Sequence, residues 1–410
     1  MPAQILWYLT EPDGRYPWEP AGRWVTDFSH LRQLATTIDQ LGFYGALLGT
    51  SGNDVLTVAS SLISVTERMR FLAAVYPGLV SPTSLALTAQ TIDRFSGGRL
   101  IFNVVNGNDF TLPQYGQRLA HDERYDFSAE YWDAFVALYR SGPEGFSGYD
   151  GRYISLAPRP ESPSPLGRWL GPTQQPATQL WGAGGSPAGI AHAVRLVDTY
   201  LTFADTPPAL ATRLARVRAA ADEVGRTLRY GVRLQVIVRE TEEEAWEHAA
   251  WLLRHTTHET ALNLIDRQFH RGYNLHTQRS DDPAVRRRLD ALRDGRLPDV
   301  EDLIIYPNMW VGPSLFGFDI VSPAAGTYLV GSAENVAARI AELQSIGIDA
   351  FILSGYPLIE EAYRVAELLL PLLNLDVPAL RVPTTISAHS RHISVNTPEN
   401  EVIAHVAPLT

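Results

Sequence analysis

An arginine and a glutamine sit one residue apart in an apolar run, Arg233 and Gln235 in "YGVRLQVIV". On a strand they point to the same face. A buried guanidinium requires an anion, either a carboxylate of the same chain or a bound ligand. The residues fit both readings. A second group closes another apolar run: "LIFNVVNGND" ends on Asn106, Gly107, Asn108 and Asp109. These residues suit a plain turn, and equally a set of hydrogen-bonding groups at the end of a strand. A third is "WGAGGSPAGIA", where Gly184, Gly185 and Ser186 precede Pro187 at the first turn of an expected helix. Such a start presents free backbone N–H groups and suits a phosphate. The third glycine of a dinucleotide fingerprint is absent, because Pro187 stands there. A fourth is "SGYP", in which Ser354 and Gly355 are read as a turn and Tyr356 as a hydroxyl donor before a helix.

The elements that must position these groups alternate. Apolar runs at 5–9, 43–48, 70–77, 100–106, 179–184, 198–203, 229–238 and 349–354 read as strands. Most are apolar along their length, as strands covered on both faces are. Helical patterns lie between them at 29–41, 54–66, 83–96, 122–140, 187–196, 207–225 and 333–346, and a last one at 358–373. Eight strand–helix units predict an α/β fold, a (β/α)8 TIM barrel, with a doubly wound sheet as the alternative. Insertions are expected at 141–178, after strand four, and at 255–330, after strand seven. The mixed-charge stretch "RSDDPAVRRRLDALRDGR" in the second reads as a solvated, partly helical surface. Residues 1–375 form one domain on this reading. Residues 376–410 form an extended tail, either disordered or docked on a neighbouring subunit. In a barrel, Asn106, Gly184, Arg233 and Tyr356 all fall at the C-terminal face, where active sites of that fold are built.

Composition narrows the chemistry. The 410 residues are 45% hydrophobic, carry a formal net charge of −11 and contain no cysteine. Disulfides, thiol nucleophiles and cysteine–metal sites are excluded. With no basic stripe, nucleic acid is not an expected partner. The N-terminus lacks the basic region of a signal peptide, and no stretch approaches the length of a membrane helix. A cytoplasmic enzyme is the expectation. His255 and His258 lack a third ligand at a suitable spacing, and no metal is expected.

The stretches "TIDRFSGGRLIFNVVNGND", "HDERYDFSAEYW", "DTYLTF", "RYGVRLQVIVRETEEEAW", "YPNMW", "AGTYLVG" and "IGIDAFILSGYPLIEEAYRVAELLLPLL" resemble the bacterial-luciferase-like flavin monooxygenases. Within that family they are most similar to the FMNH2-dependent alkanesulfonate monooxygenases. The resemblance implies a TIM barrel that takes reduced FMN from a separate NAD(P)H-dependent flavin reductase, consumes O2, and converts a small sulfonate to an aldehyde and sulfite. Carried over by position, it implies FMN contacts at Asn106, Tyr125, Gly184, Gly185 and Ser186, and substrate and chemistry at Arg233 and Tyr356. A homodimer or homotetramer is expected. Trp7, Phe203 and Trp181 are expected as apolar walls that keep water out, or as plain barrel core.

Departures fall on the substrate side. Gly52 stands where the family has a cysteine, Gln235 where it has a histidine, and Phe203 where it has a tryptophan. Ser322 stands for a loop arginine and Glu11 for a histidine. The expected substrate set is therefore Arg233, Gln235, Phe203, Trp7 and Glu11, with a more polar organosulfonate, such as the sulfosugar sulfoquinovose, as ligand. The alternatives are a flavin or deazaflavin oxidoreductase acting on a non-sulfonate, and a flavin-binding protein without turnover.

Overall fold

A computed structural model describes residues 1–9, 12–50, 52–142, 145–161, 171–268 and 274–377. Met1–Pro378 forms one compact unit. Its centre is a closed parallel barrel of β1 (Gln4–Leu9), β2 (Gly45–Leu48), β3 (Arg70–Val75), β4 (Leu100–Val104), β5 (Leu180–Ala183), β6 (Thr199–Phe203), β7 (Arg229–Arg239) and β8 (Ala350–Ser354). Each strand pairs with the next, and β8 returns to β1. The eight expected strands are these eight, and the TIM barrel is the fold.

Alternation along the strands divides two cores. Leu6, Leu72, Ile101, Trp181, Leu201 and Ile352 fill the barrel interior. Their neighbours Ile5, Trp7, Phe71, Phe102, Val232, Leu234 and Leu353 face the surrounding helices. Those helices are α1 (Phe28–Gln40), α2 (Val55–Leu62), α3 (Pro82–Ser96), α4 (His121–Arg140), α5 (Pro187–Leu196), α6 (Pro207–Glu223), α7 (Glu242–Arg254), α8 (His258–Gln268), α9 (Pro283–Arg293), α10 (Ala333–Ser345) and α11 (Leu358–Arg364). Helix α7 was not among the expected patterns. Its start carries a capping box, in which Thr241 Oγ1 accepts from Glu244 N–H and the Glu244 carboxylate accepts from Thr241 N–H. The last expected helix is α11 followed by a π turn, Val365–Leu369, and a 3-10 turn, Leu370–Leu372. Pro371 lacks the N–H that would continue an α-helix.

The second insertion builds its own apolar core around Trp18, Leu264, Leu289, Trp310, Phe318, Tyr328 and Tyr356. Its charged stretch is more ordered than a solvated surface: α9 buries Val285, Leu289 and Leu292. Arg288 is buried with them and donates to the carbonyls of Asp302 (2.6 Å) and Ile320 (3.1 Å). A short hairpin, Pro313–Ser314 against Gly317–Phe318, projects from this core toward the barrel mouth. A strand at Tyr328–Ser332 then extends the ladder of β7 beyond the barrel.

The first insertion contributes a two-stranded hairpin, Tyr149–Asp150 with Ser155–Leu156. Where the expected tail begins, Asp376 is tied beside β1: its N–H donates to Ala3 O, and its carboxylate accepts from Gln4 Nε2, both at 2.9 Å. From residue 378 on, the tail lies outside the described residues.

Candidate active site

Two groups of side chains share the C-terminal mouth of the barrel. On one side β7 carries Gly231, Arg233 and Gln235 inward, opposite in parity to the outward Val232, Leu234 and Val236. Register sets Arg233 level with Ile352 on β8 and Phe203 on β6, and Gln235 level with Ser354. The Arg233 guanidinium is buried, at 6% exposure. Nη1 donates to the carbonyls of Leu234 and Ile352, the latter at 3.2 Å, and Nη2 donates to Ser354 Oγ at 2.6 Å. Its Nε is buried with no hydrogen-bond partner. Aromatic rings flank the cation, Tyr8 at 5.0 Å and Phe316 at 4.7 Å from its central carbon. Among the described residues no carboxylate pairs with Arg233. Burial lowers its pKa, and the hydroxyls of Tyr356, Tyr8 and Tyr328 act against that. A guanidinium keeps its proton all the same.

Gln235 is fully buried. One terminal atom of its amide lies 3.0 Å from Arg233 Nη2. That atom is the oxygen, because a guanidinium only donates; the amide nitrogen then donates to Ser354 Oγ (2.6 Å) and Ser354 O (3.1 Å). Ser354 is therefore the last residue of β8 and a partner of Arg233, rather than half of a turn. Tyr356, two residues on, is 3% exposed, and its hydroxyl accepts from Leu315 N–H at 3.3 Å. Its ring stands edge-on to Trp18 at 5.5 Å. Burial pushes its pKa up, with Arg233 acting against it, so the phenol remains a donor near neutral pH.

On the other side, Val104 and Gly182 are partners in the β4–β5 ladder. Asn106 and Gly184, each two residues further on, thus leave the barrel at one height. Asn106 Oδ1 is buried without a partner. The polar run after it divides: Asn108 Oδ1 accepts from Phe110 N–H (3.0 Å) and Thr111 N–H (2.8 Å), and Asp109 pairs with Arg124 at 2.6 Å. Asn108 and Asp109 thus build the loop, and Asn106 is left available. Ser186 caps α5, its Oγ accepting from Gly189 N–H at 3.1 Å. A methyl group on Gly184 would lie 2.3 Å from Gly189 O, so that glycine is required for the turn to pack on the helix. A methyl on Gly185 would meet nothing within 4 Å, and one on Gly189 would lie 3.0 Å from the Tyr125 hydroxyl. The first turn of α5, the open ground at Gly185 and the Tyr125 hydroxyl lie close together, and a helix start presents free backbone N–H groups.

Other expected positions differ. Trp7 points outward: its ring packs on Phe43 at 5.4 Å, and Nε1 donates to Leu358 O at 3.0 Å. Tyr8, one residue on, holds the place at the mouth. Gly49 permits this, since a methyl there would lie 2.1 Å from the Tyr8 hydroxyl. Trp181 is barrel core, with Nε1 donating to Gln179 Oε1 at 3.1 Å. Phe203 stands at the rim and is 57% exposed, so it does not form a buried wall. Glu11 lies outside the described residues. His255 and His258 belong to different elements, hydrogen-bonded to Trp251 O and Leu292 O. Sequence reading missed Tyr8, Ser354 and Phe316. For Tyr8 the signal was strand parity, masked because every residue of "ILWYL" is apolar.

The profile of the luciferase-like monooxygenases matches residues 7–350. The chain belongs to that family. It is a family of monooxygenases, and the chain is an enzyme. Among solved structures, a riboflavin lyase with modified FMN and riboflavin has 19% identity and a TM-score of 0.67, covering 92% of this chain and 95% of that one. A long-chain alkane monooxygenase has 19% identity and a TM-score of 0.67, over 90% and 91%. An F420-dependent secondary alcohol dehydrogenase in complex with an F420–acetone adduct has 15% identity and a TM-score of 0.58, over 91% and 99%. These likenesses bear on the fold. No helix among the described residues is long and apolar enough to cross a membrane.

Proposed function

We propose that this luciferase-like enzyme oxidatively desulfonates an organosulfonate, with reduced FMN from a separate reductase and O2 as co-substrates. The products are an aldehyde, sulfite, oxidised flavin and water. The observation that carries the reading is Arg233: a buried cation at the barrel mouth, without a carboxylate partner among the described residues and with a free Nε. A sulfonate is a permanent anion, and the planar N–H fork of arginine matches its oxygens.

FMN fits the other side of the mouth on two counts, the orphaned Asn106 Oδ1 and the phosphate seat at Gly185, Ser186 and Tyr125. Asn106 would bond a donor of the ring system, and Gly184 would shape the turn beneath the phosphate. When bound, reduced FMN supplies the electrons that activate O2. Arg233 binds and orients the sulfonate, and Ser354 and Gln235 hold the guanidinium in place. Tyr356 remains protonated and donates a hydrogen bond to an oxygen at the reacting centre. Tyr8 and Phe316 exclude water beside the cation. The substrate-side departures from the alkanesulfonate pattern, Gln235 for a histidine and Phe203 for a tryptophan, support a different and more polar sulfonate, such as a sulfosugar.

A sulfite-release screen over alkyl, aromatic and sugar sulfonates, with FMN, a flavin reductase, NAD(P)H and O2, tests the reading. Sulfite from one of them is expected, together with tighter binding of reduced than of oxidised FMN. Turnover with deazaflavin and no sulfite, or flavin binding without any turnover, would overturn it.

A further inference from the structure

A cavity of about 450 Å³ lies among α7, α11 and the loop after β1. Its walls include Arg15, Arg239, Arg364, His248, Trp24 and Trp251. The charges do not cancel. Arg239 is matched by Glu361, with Nη1 at 3.0 Å and Nη2 at 2.8 Å from the two carboxylate oxygens, and both residues are buried. Arg364 reaches the same carboxylate at 3.7 Å, and Glu360 is the other acid in the wall. The Arg15 guanidinium has no hydrogen-bond or ion-pair partner among the described residues and lies over the Trp251 ring at 5.0 Å. Three guanidinium groups thus face two carboxylates. His248 stacks on Trp251, with ring centres 5.6 Å apart and planes 13° apart. Its Nε2 is buried with no partner. Burial, with Arg239, Arg364 and Arg15 close by, holds its pKa down to about 3. The imidazole is therefore neutral and offers hydrogen bonding without charge.

We propose that this cavity binds a planar organic anion, an aromatic carboxylate or sulfonate, with its ring against the exposed Trp24 indole and its oxyanion on Arg15 and Arg364. A cavity of this size is in the range of small-molecule sites. Indole faces favour a flat ring, and arginine is the side chain suited to an oxyanion. Flavin and the Arg233 anion are placed elsewhere at the mouth, so this site does not depend on the desulfonation reading. It abuts the catalytic side through Tyr356, which contributes to its wall.

Calorimetric titration of the full chain with 2-naphthoate, without flavin, tests it. One-to-one binding is expected, weakened at least about tenfold in Arg15→Gln and in Trp24→Ala, and at least about tenfold weaker for the uncharged 2-naphthamide. Both variants alter exposed side chains, and their melting temperatures should match the parent. Arg233→Met should bind naphthoate as the parent does. No binding at millimolar naphthoate, equal affinity for the amide, unchanged affinity in both variants, or loss of binding in Arg233→Met would each overturn the proposal. The last outcome would place the ligand at the barrel mouth.

Discussion

The two sides of the barrel mouth are built differently. The side at β4 and β5 is made by short local turns: Ser186 caps α5, Gly184 packs on Gly189, and Asn106 follows its strand by two residues. Each group reaches its place because its own strand ends there. The side at β7, β8 and β1 depends on distant parts of the chain. Arg233 is held by Ser354, 121 positions away in sequence, and flanked by Tyr8 and by Phe316 from the second insertion. The local side presents an orphaned acceptor and open ground. The assembled side presents a desolvated charge under an aromatic cover. A cofactor common to a family can be met by local turns, whereas a particular substrate is met by whatever the insertions bring over the mouth.

The comparison breaks first at Arg233. Arg233→Met should abolish turnover, by at least about a thousandfold, a loss of the size seen when a preorganised charge is removed. Reduced-flavin affinity should change less than about twofold, and the melting temperature should stay the same or rise, because an unpaired buried charge is costly and an apolar isostere is often neutral or stabilising. A large drop in melting temperature would mean that the guanidinium has an anionic partner in the folded chain.

The local side is tested by a pair of glycines. Gly184→Ala should destabilise by about 1–3 kcal/mol in denaturant titration, since its methyl meets backbone at 2.3 Å. Gly185→Ala should leave stability within about 0.5 kcal/mol while weakening FMN binding roughly tenfold by occupying the phosphate seat. Equal stability losses in the two would show that the open ground is not a ligand position.

Phe316→Ala sharpens the contrast on the assembled side. It should change KM for the sulfonate several-fold and increase uncoupled peroxide release, at a cost of roughly 0.5–2 kcal/mol from the lost cation–π contact. Flavin affinity should not move.

A pH-dependent test concerns Asp319, which anchors the loop behind Phe316. Its carboxylate accepts from Ala324 N–H (2.9 Å), Gly326 N–H (2.8 Å) and Thr327 Oγ1 (3.2 Å). Burial still raises its pKa to about 7. A carboxyl with a raised folded-state pKa contributes stability that is full below its ordinary value near 4 and lost as pH rises through about 7. Denaturant titrations at pH 5 and pH 8 should show the parent losing more stability than Asp319→Asn across that interval. Parallel losses would assign the slope to other groups.

The barrel was legible because eight apolar runs, separated by helical periods, leave few ways to bury both faces of every strand. Ser186 and Gly184 were legible for a related reason, since helix starts and tight turns are local. Asn106 stood in a run of four small polar residues, and only the loop geometry showed that Asn108 is taken by the backbone of Phe110 and Thr111 and Asp109 by Arg124, leaving Asn106 Oδ1 alone. Trp7 was misplaced because parity cannot be read from a run, "ILWYL", in which every residue counts as hydrophobic.

The sequence by itself determined the eight-strand architecture, the presence of an arginine on an inward-capable strand position, and the glycines and serine of the α5 turn. These follow from period, side-chain type and neighbouring residues. The tertiary structure alone decided that Tyr8 rather than Trp7 faces the mouth, that Ser354 and Gln235 hold Arg233, and that Phe316 covers it. Those contacts join residues far apart in the chain. Their geometry is set by strand register and by the packing of an insertion with its own core, neither of which any local stretch encodes.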